Sequence, residues 1–125
     1  MNSITLKPEI QQLYKLEEFI QDELPQKNIQ VKLIVEEIFV NIADYSKTEF
    51  ITVNVEYDKP TLTLEFIDNG IEFNPLLKED PNPPTNIDDT EIGGLGIFLT
   101  KNIADELDYH YVNGENHLKI IKYVE

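Results

Sequence analysis

The sequence predicts an α+β two-layer sandwich, with a mixed, mainly antiparallel sheet carrying three helices on one face. Three observations predict it. Apolar residues recur at helical spacing in three separate stretches. Two other stretches alternate strictly, with Ile51, Val53, Val55 and Tyr57, then Leu62, Leu64 and Phe66, opposing Thr52, Asn54, Glu56, Thr63 and Glu65. One apolar and one polar face means a sheet covered on a single side, unlike the doubly covered sheets of parallel α/β folds. Most of the strands are linked as hairpins rather than through long crossovers.

In chain order, residues 3 to 7 alternate and form a short strand expected at a sheet edge. Pro8 stands where a first helical residue would, and Ile10, Leu13, Tyr14, Phe19, Ile20 and Leu24 mark a helix over 9 to 24, stopped by Pro25. Asn28 is the expected N-cap of a central helix running to about Ser46. Strands at 49 to 57 and 61 to 67 follow, turned by Asp58-Lys59-Pro60. From 68 to 92 the pattern breaks down among Pro75, Pro81, Pro83 and Pro84; a loop of that length is expected to be a lid, placed at about 74 to 92. Gly93-Gly94-Leu95-Gly96 opens a third helix, with Ile97, Leu99, Ile103 and Leu107 in its buried stripe. Strands at 108 to 112 and 117 to 124 end the chain, joined through Asn113-Gly114-Glu115-Asn116.

With 125 residues, one domain is expected. A net charge of -14 disfavours nucleic acid as a partner, because the phosphate backbone would be repelled. No cysteine is present, and His110 and His117 are the only histidines, so thiolate and histidine metal sites are not expected. Neither a signal peptide nor a membrane-length apolar run occurs, so no membrane association and a cytoplasmic location are expected.

Three motifs carry chemistry. On the central helix Glu37 and Asn41 stand four residues apart, on one face of a segment that is apolar nearly all round. A carboxylate and an amide there are costly unless paired, solvated in a cleft or bound to something. An ordinary polar helix face explains most such pairs. Both oxygens could also serve one hard cation such as Mg²⁺, which takes oxygen ligands and keeps several waters. Next, Asp68-Asn69-Gly70 ends the second alternating strand. It is either a plain hairpin turn or a buried acceptor for an exocyclic amine, with Gly70 letting a ligand approach the backbone. Last, three of the chain's 5 glycines fall at Gly93, Gly94 and Gly96. They mark either a loose helix entry or a helix N-terminus freed to hold phosphate. No P-loop lysine or dinucleotide fingerprint accompanies them.

Taken in order, the carboxylate–amide helix, Asp-x-Gly strand end, proline-rich lid and glycine-rich helix start resemble the GHKL ATPases with the Bergerat ATP-binding fold. The compact length resembles their RsbW-like branch, the anti-sigma factor serine/threonine kinases. The resemblance implies a catalytic base at Glu37 and a Mg²⁺ ligand at Asn41. It implies an adenine site at Asp68 and Gly70, and phosphate contacts at Gly93, Gly94, Leu95 and Gly96. It further implies Mg-ATP as cosubstrate, a STAS-domain anti-sigma factor antagonist as phosphoacceptor, a sequestered sigma factor and a homodimer. A second reading is a non-catalytic module whose lid and partner affinity are set by nucleotide.

Overall fold

Which side of each strand is apolar decides where the helices go. The computed structural model describes residues 2–77 and 92–124, with only the backbone at 92–96 and 98. The order is β1 (Asn2–Leu6), a 3-10 turn (Ile10–Gln12), α1 (Leu13–Gln21), α2 (Ile29–Tyr45), β2 (Ile51–Asp58) and β3 (Thr61–Asp68). A second 3-10 turn (Pro75–Leu77), α3 (Ile92–Ile103), β4 (Glu106–Val112) and β5 (Glu115–Tyr123) complete it. The five strands form one sheet in the order β1-β2-β3-β5-β4. Every described pairing is antiparallel, so the expected fold class holds with an antiparallel sheet. Ile51, Val53 and Val55 from β2, Leu62, Leu64 and Phe66 from β3, and Leu118 and Ile120 from β5 are all buried. They join Leu16, Ile20, Ile34, Ile38, Phe39 and Ile97 of the helices in one core. Burying each such side chain contributes on the order of 1.5–3 kcal/mol.

Helix α2 runs through that core, burying Val31, Ile34, Val35, Ile38, Phe39, Asn41 and Ile42. It starts where the local chemistry asks: Asn28 Oδ1 accepts from the Val31 N–H at 3.0 Å. The Asn28 N–H and carbonyl in turn pair with the Gln21 side chain at 2.9 and 3.1 Å, fixing α1 to the start of α2. At the other end Ser46 is the C-cap, and Lys47 takes a left-handed φ of 57°, the position glycine usually fills.

Several details differ from expectation: α1 ends at Gln21 rather than at 24, β4 begins at Glu106 rather than at 108, and three further differences have a local cause. The first helix opens as a 3-10 turn at Ile10 and becomes α-helical only at Leu13, because Glu9 is extended and caps nothing with its side chain. In α3, Ile97 and Thr100 are buried, whereas Leu99 is 37% exposed and Leu107 lies in β4. Two residues turn a helix by about 200°, so Leu99 cannot share the face of Ile97. The last hairpin turns on Asn113 (φ 53°) and Gly114 (φ 77°) alone. Two successive left-handed residues match the right-handed twist of the flanking strands. Glu115 and Asn116, expected in the turn, are therefore inside β5. Among the described residues, no helix is long and apolar enough to cross a membrane.

Candidate functional site

On α2 the side chains of Glu37 and Asn41 fall as the i, i+4 spacing requires. Glu37 is half-buried and Asn41 is 2% exposed. The Asn41 amide nitrogen donates to the Glu37 carbonyl at 2.7 Å, one turn back. That bond occupies the amide nitrogen, while Oδ1 is buried with no hydrogen-bond partner among the described residues. A buried acceptor left unmade costs about 1–3 kcal/mol. Its chemistry, a neutral oxygen without a competing donor, fits a Mg²⁺ ligand. No cluster of three or more carboxylate or imidazole groups able to hold a metal occurs among the described residues. The donor set thus suits a cation that brings most of its oxygens with it, as phosphates and waters.

Asp68 ends β3 and is buried. Its Oδ1 accepts from Ser46 Oγ at 2.5 Å, from the Gly70 N–H at 2.9 Å and from Asn116 Nδ2 at 3.0 Å. The Gly70 bond is the local Asx turn that an Asp two residues earlier can make. All three donors fall on one oxygen. Ser46 reaches Asp68 from the end of α2, so the helix carrying Glu37 and Asn41 is tied directly to the strand end carrying Asp68. Gly70 has a reason beyond ligand approach: a Cβ there would sit 2.0 Å from Ser46 Oγ and 2.1 Å from the Ser46 carbonyl oxygen. The neighbouring Ile71 N–H donates to that same carbonyl at 2.8 Å. The strand end lies flat on the helix terminus, and only glycine fits.

Next to Asp68, Thr48 and Asn69 brace the turn. Thr48 Oγ1 bonds Asn69 Oδ1 at 2.7 Å and accepts from the Asn69 N–H at 3.1 Å. Beyond it, Tyr45 and Phe73 pack ring on ring with centroids 5.7 Å apart. Neither Ser46 nor Asn116 was singled out as a site residue in the sequence. Ser46 lies 22 residues from Asp68 and Asn116 lies 48, so no local spacing signals either. For Asn116 the one available signal was the two-residue Asn-Gly turn, which places it within β5, opposite Asp68.

Of the other predicted positions, Gly93, Gly94, Leu95 and Gly96 lie in the first turns of α3. Their side-chain surroundings are outside the described residues, as is the lid from 78 to 91. The described part of the segment expected to form a lid begins with Asn74, whose Oδ1 accepts from the Leu76 N–H at 2.9 Å to start the short Pro75–Leu77 turn. Helix α3 packs against α2, the helix that carries Asn41. A groove of about 510 Å³ lies elsewhere, between α1 and the start of α2, walled by Tyr14, Glu17, Gln21, Asn28, Ile29 and Lys32. Among the described residues, its walls include none of the motif residues and no buried polar atom without a partner.

A profile of the histidine kinase-like ATPase domain matches residues 9–122. The chain belongs to this family. As a histidine kinase-like ATPase domain it falls within the GHKL superfamily, and its family membership supports ATP binding and ATP-dependent kinase-type chemistry. Among solved structures, the Acinetobacter baumannii histidine kinase AdeS is similar in fold, with a TM-score of 0.55 at 13% sequence identity. That likeness covers 100% of this chain and 68% of the AdeS chain. No curated protein matches. In this histidine kinase-like ATPase domain, Asn41 Oδ1 is the buried side-chain polar atom left without a hydrogen-bond partner among the described residues, whereas Asp68 Oδ1 takes three donors.

Proposed function

We propose that this chain is a single, cytoplasmic Mg-ATP-binding domain that works as a protein serine/threonine kinase of the anti-sigma factor type. Its phosphoacceptor would be a STAS-domain anti-sigma factor antagonist, and it would also sequester a sigma factor. The observation that carries the reading is Asn41 Oδ1, buried without a partner one helical turn from the half-buried Glu37 carboxylate. Bound Mg²⁺ would supply charge neutralisation for the phosphates. Asn41 would hold it through Oδ1, and Asp68 would accept an exocyclic amine of adenine through Oδ2, since Oδ1 already takes three donors. Glu37 would take the proton of the incoming serine or threonine hydroxyl. The N-terminus of the 12-residue α3, rich in glycine, would present backbone N–H groups to phosphate. Such catalysis is mostly positioning and electrostatics, which suits a site built from fixed hydrogen bonds. Strand β1 at the sheet edge leaves a pairing surface for a second copy.

The test is incubation with labelled Mg-ATP and a candidate STAS protein. Label transferred to a serine or threonine of that protein, dependent on Mg²⁺, supports the reading. ATP binding without transfer to any STAS partner, but with changed partner affinity, would leave only a nucleotide-gated binding module. No thermal shift at near-millimolar Mg-ATP would end both.

A further inference from the structure

Asn116 heads the inward-facing row of β5, followed by Leu118 and Ile120, and is 3% exposed. An amide side chain has two acceptor positions and two donor hydrogens. Here all four are used. Oδ1 accepts from the Phe73 N–H at 2.9 Å and from the Tyr109 hydroxyl at 2.5 Å. Nδ2 donates to the Ile71 carbonyl at 2.7 Å and to Asp68 Oδ1 at 3.0 Å. The two backbone partners settle which end is which, because an N–H can only donate and a carbonyl can only accept. A flipped amide would face Phe73 N–H with its own N–H and Ile71 O with its own oxygen. Asn116 is therefore locked as a donor to Asp68.

We infer that Asn116 is a positioning residue that sets nucleotide base specificity by fixing Asp68. The inference rests on the reading that Asp68 meets the purine. With Asn116, Ser46 and Gly70 all on Oδ1, the carboxylate cannot turn without breaking three bonds, and on that reading Oδ2 serves as the acceptor for the base. An acceptor there matches the exocyclic amine of adenine and repels the O6 oxygen of guanine. A free asparagine could rescue guanine by swinging its NH₂ toward O6. This one cannot, because both its hydrogens are held by Ile71 and Asp68. Tyr109 acts one step further out, closing the last acceptor position of the amide. The same network also anchors the backbone of Ile71 and Phe73.

The experiment measures ATP and GTP affinity, by displacement of a fluorescent ATP analogue, for wild type, Asn116→Leu, Asn116→Ser and Tyr109→Phe. Melting temperatures without nucleotide are recorded for each. Wild type is expected to prefer ATP by about 100-fold or more, the scale of a site whose buried polar groups are matched by one ligand only. Asn116→Leu should lose about tenfold in ATP affinity, the worth of a hydrogen bond to a charged group, with GTP little changed. Its ATP/GTP ratio then falls by the same factor. Asn116→Ser, which keeps a short donor, should recover part of the ratio. Tyr109→Phe leaves both amide hydrogens engaged and should change the ratio by less than about threefold. A folded Asn116→Leu or Asn116→Ser protein with the wild-type ratio would overturn the inference. So would an equal loss of both affinities, the mark of a purely structural role. If Asn116→Leu does not fold, Asn116→Ser decides on the same criteria. A wild type that binds ATP and GTP equally overturns the specificity claim alone, while one that binds neither overturns the ATP-site reading beneath it.

Discussion

Ser46 Oγ donates to Asp68 Oδ1 at 2.5 Å, joining the last turn of α2 to the last residue of β3. Both side chains are buried, and the contact lies where Gly70 crosses the Ser46 backbone. The helix that carries Glu37 and Asn41 and the strand end that carries Asp68 are therefore joined directly.

Breaking that joint should cost stability in a defined way. Ser46→Ala removes a hydrogen bond to a buried carboxylate and is expected to lower unfolding free energy by about 1–3 kcal/mol. Gly70→Ala forces a methyl into occupied space and should cost about as much, through overpacking. The double variant is the sharper measurement. Removing Ser46 Oγ leaves the Ser46 carbonyl oxygen 2.1 Å from the new Cβ, so Ser46→Ala should not rescue Gly70→Ala in urea denaturation.

Asn41 should behave as a residue kept for binding at some expense to the fold. Asn41→Leu replaces an orphaned buried acceptor by an apolar group of similar size. It also loses the bond to the Glu37 carbonyl, so apo stability is expected to stay within about 1 kcal/mol of wild type or to rise. The Mg²⁺-dependent thermal shift with ATP should vanish. A large loss of apo stability would mark Asn41 as structural instead.

For Glu37 the expected separation is between binding and transfer. Glu37→Gln keeps size and hydrogen-bonding capacity but cannot accept a proton. Nucleotide affinity should be unchanged within a few-fold, while phosphate transfer falls by about 100-fold or more, the usual contribution of a general base. Transfer at the wild-type rate would remove Glu37 from its role.

Tyr109 links stability to alkaline pH. Burial first, then the nearby Glu72 carboxylate, raise its hydroxyl above the ordinary tyrosine value of 10.0, with Asp68 and Tyr111 adding to the rise and a hydrogen bond from the Phe73 backbone opposing it. A raised value in the fold means the native state holds the proton longer than the unfolded chain. The contribution is complete below pH 10 and is lost as pH climbs through the raised value. Wild type should therefore lose stability above pH 10 more steeply than Tyr109→Phe, measured as melting temperature across that range.

Much of the fold could be read from local rules. Strand alternation placed β2 and β3 correctly because a half-covered sheet enforces a period of two, and Asn28 capped α2 because the cap bond spans three residues. The placement of Glu37 and Asn41 four residues apart on one helix was equally legible, since local periodicity alone predicts α2. What could not be read is the set of donors around Asp68. Ser46 arrives from a helix terminus and Asn116 from a strand two neighbours later in the chain, and each is meaningless until the register is known. Leu99 misled because apolarity alone does not say which side of α3 a residue occupies.

The hairpin of Asn113 and Gly114 lies outside every motif, yet it counts the residues that follow it. Strand neighbours alternate sides, so removing a single residue at this tip would slide β5 by one place against β3 and exchange Asn116 for His117 opposite Asp68. An imidazole would then replace the amide beside the carboxylate, and the buried row Leu118 and Ile120 would swing outward with it. The length of a distant loop, rather than any contact it makes, determines which side chain stands opposite Asp68.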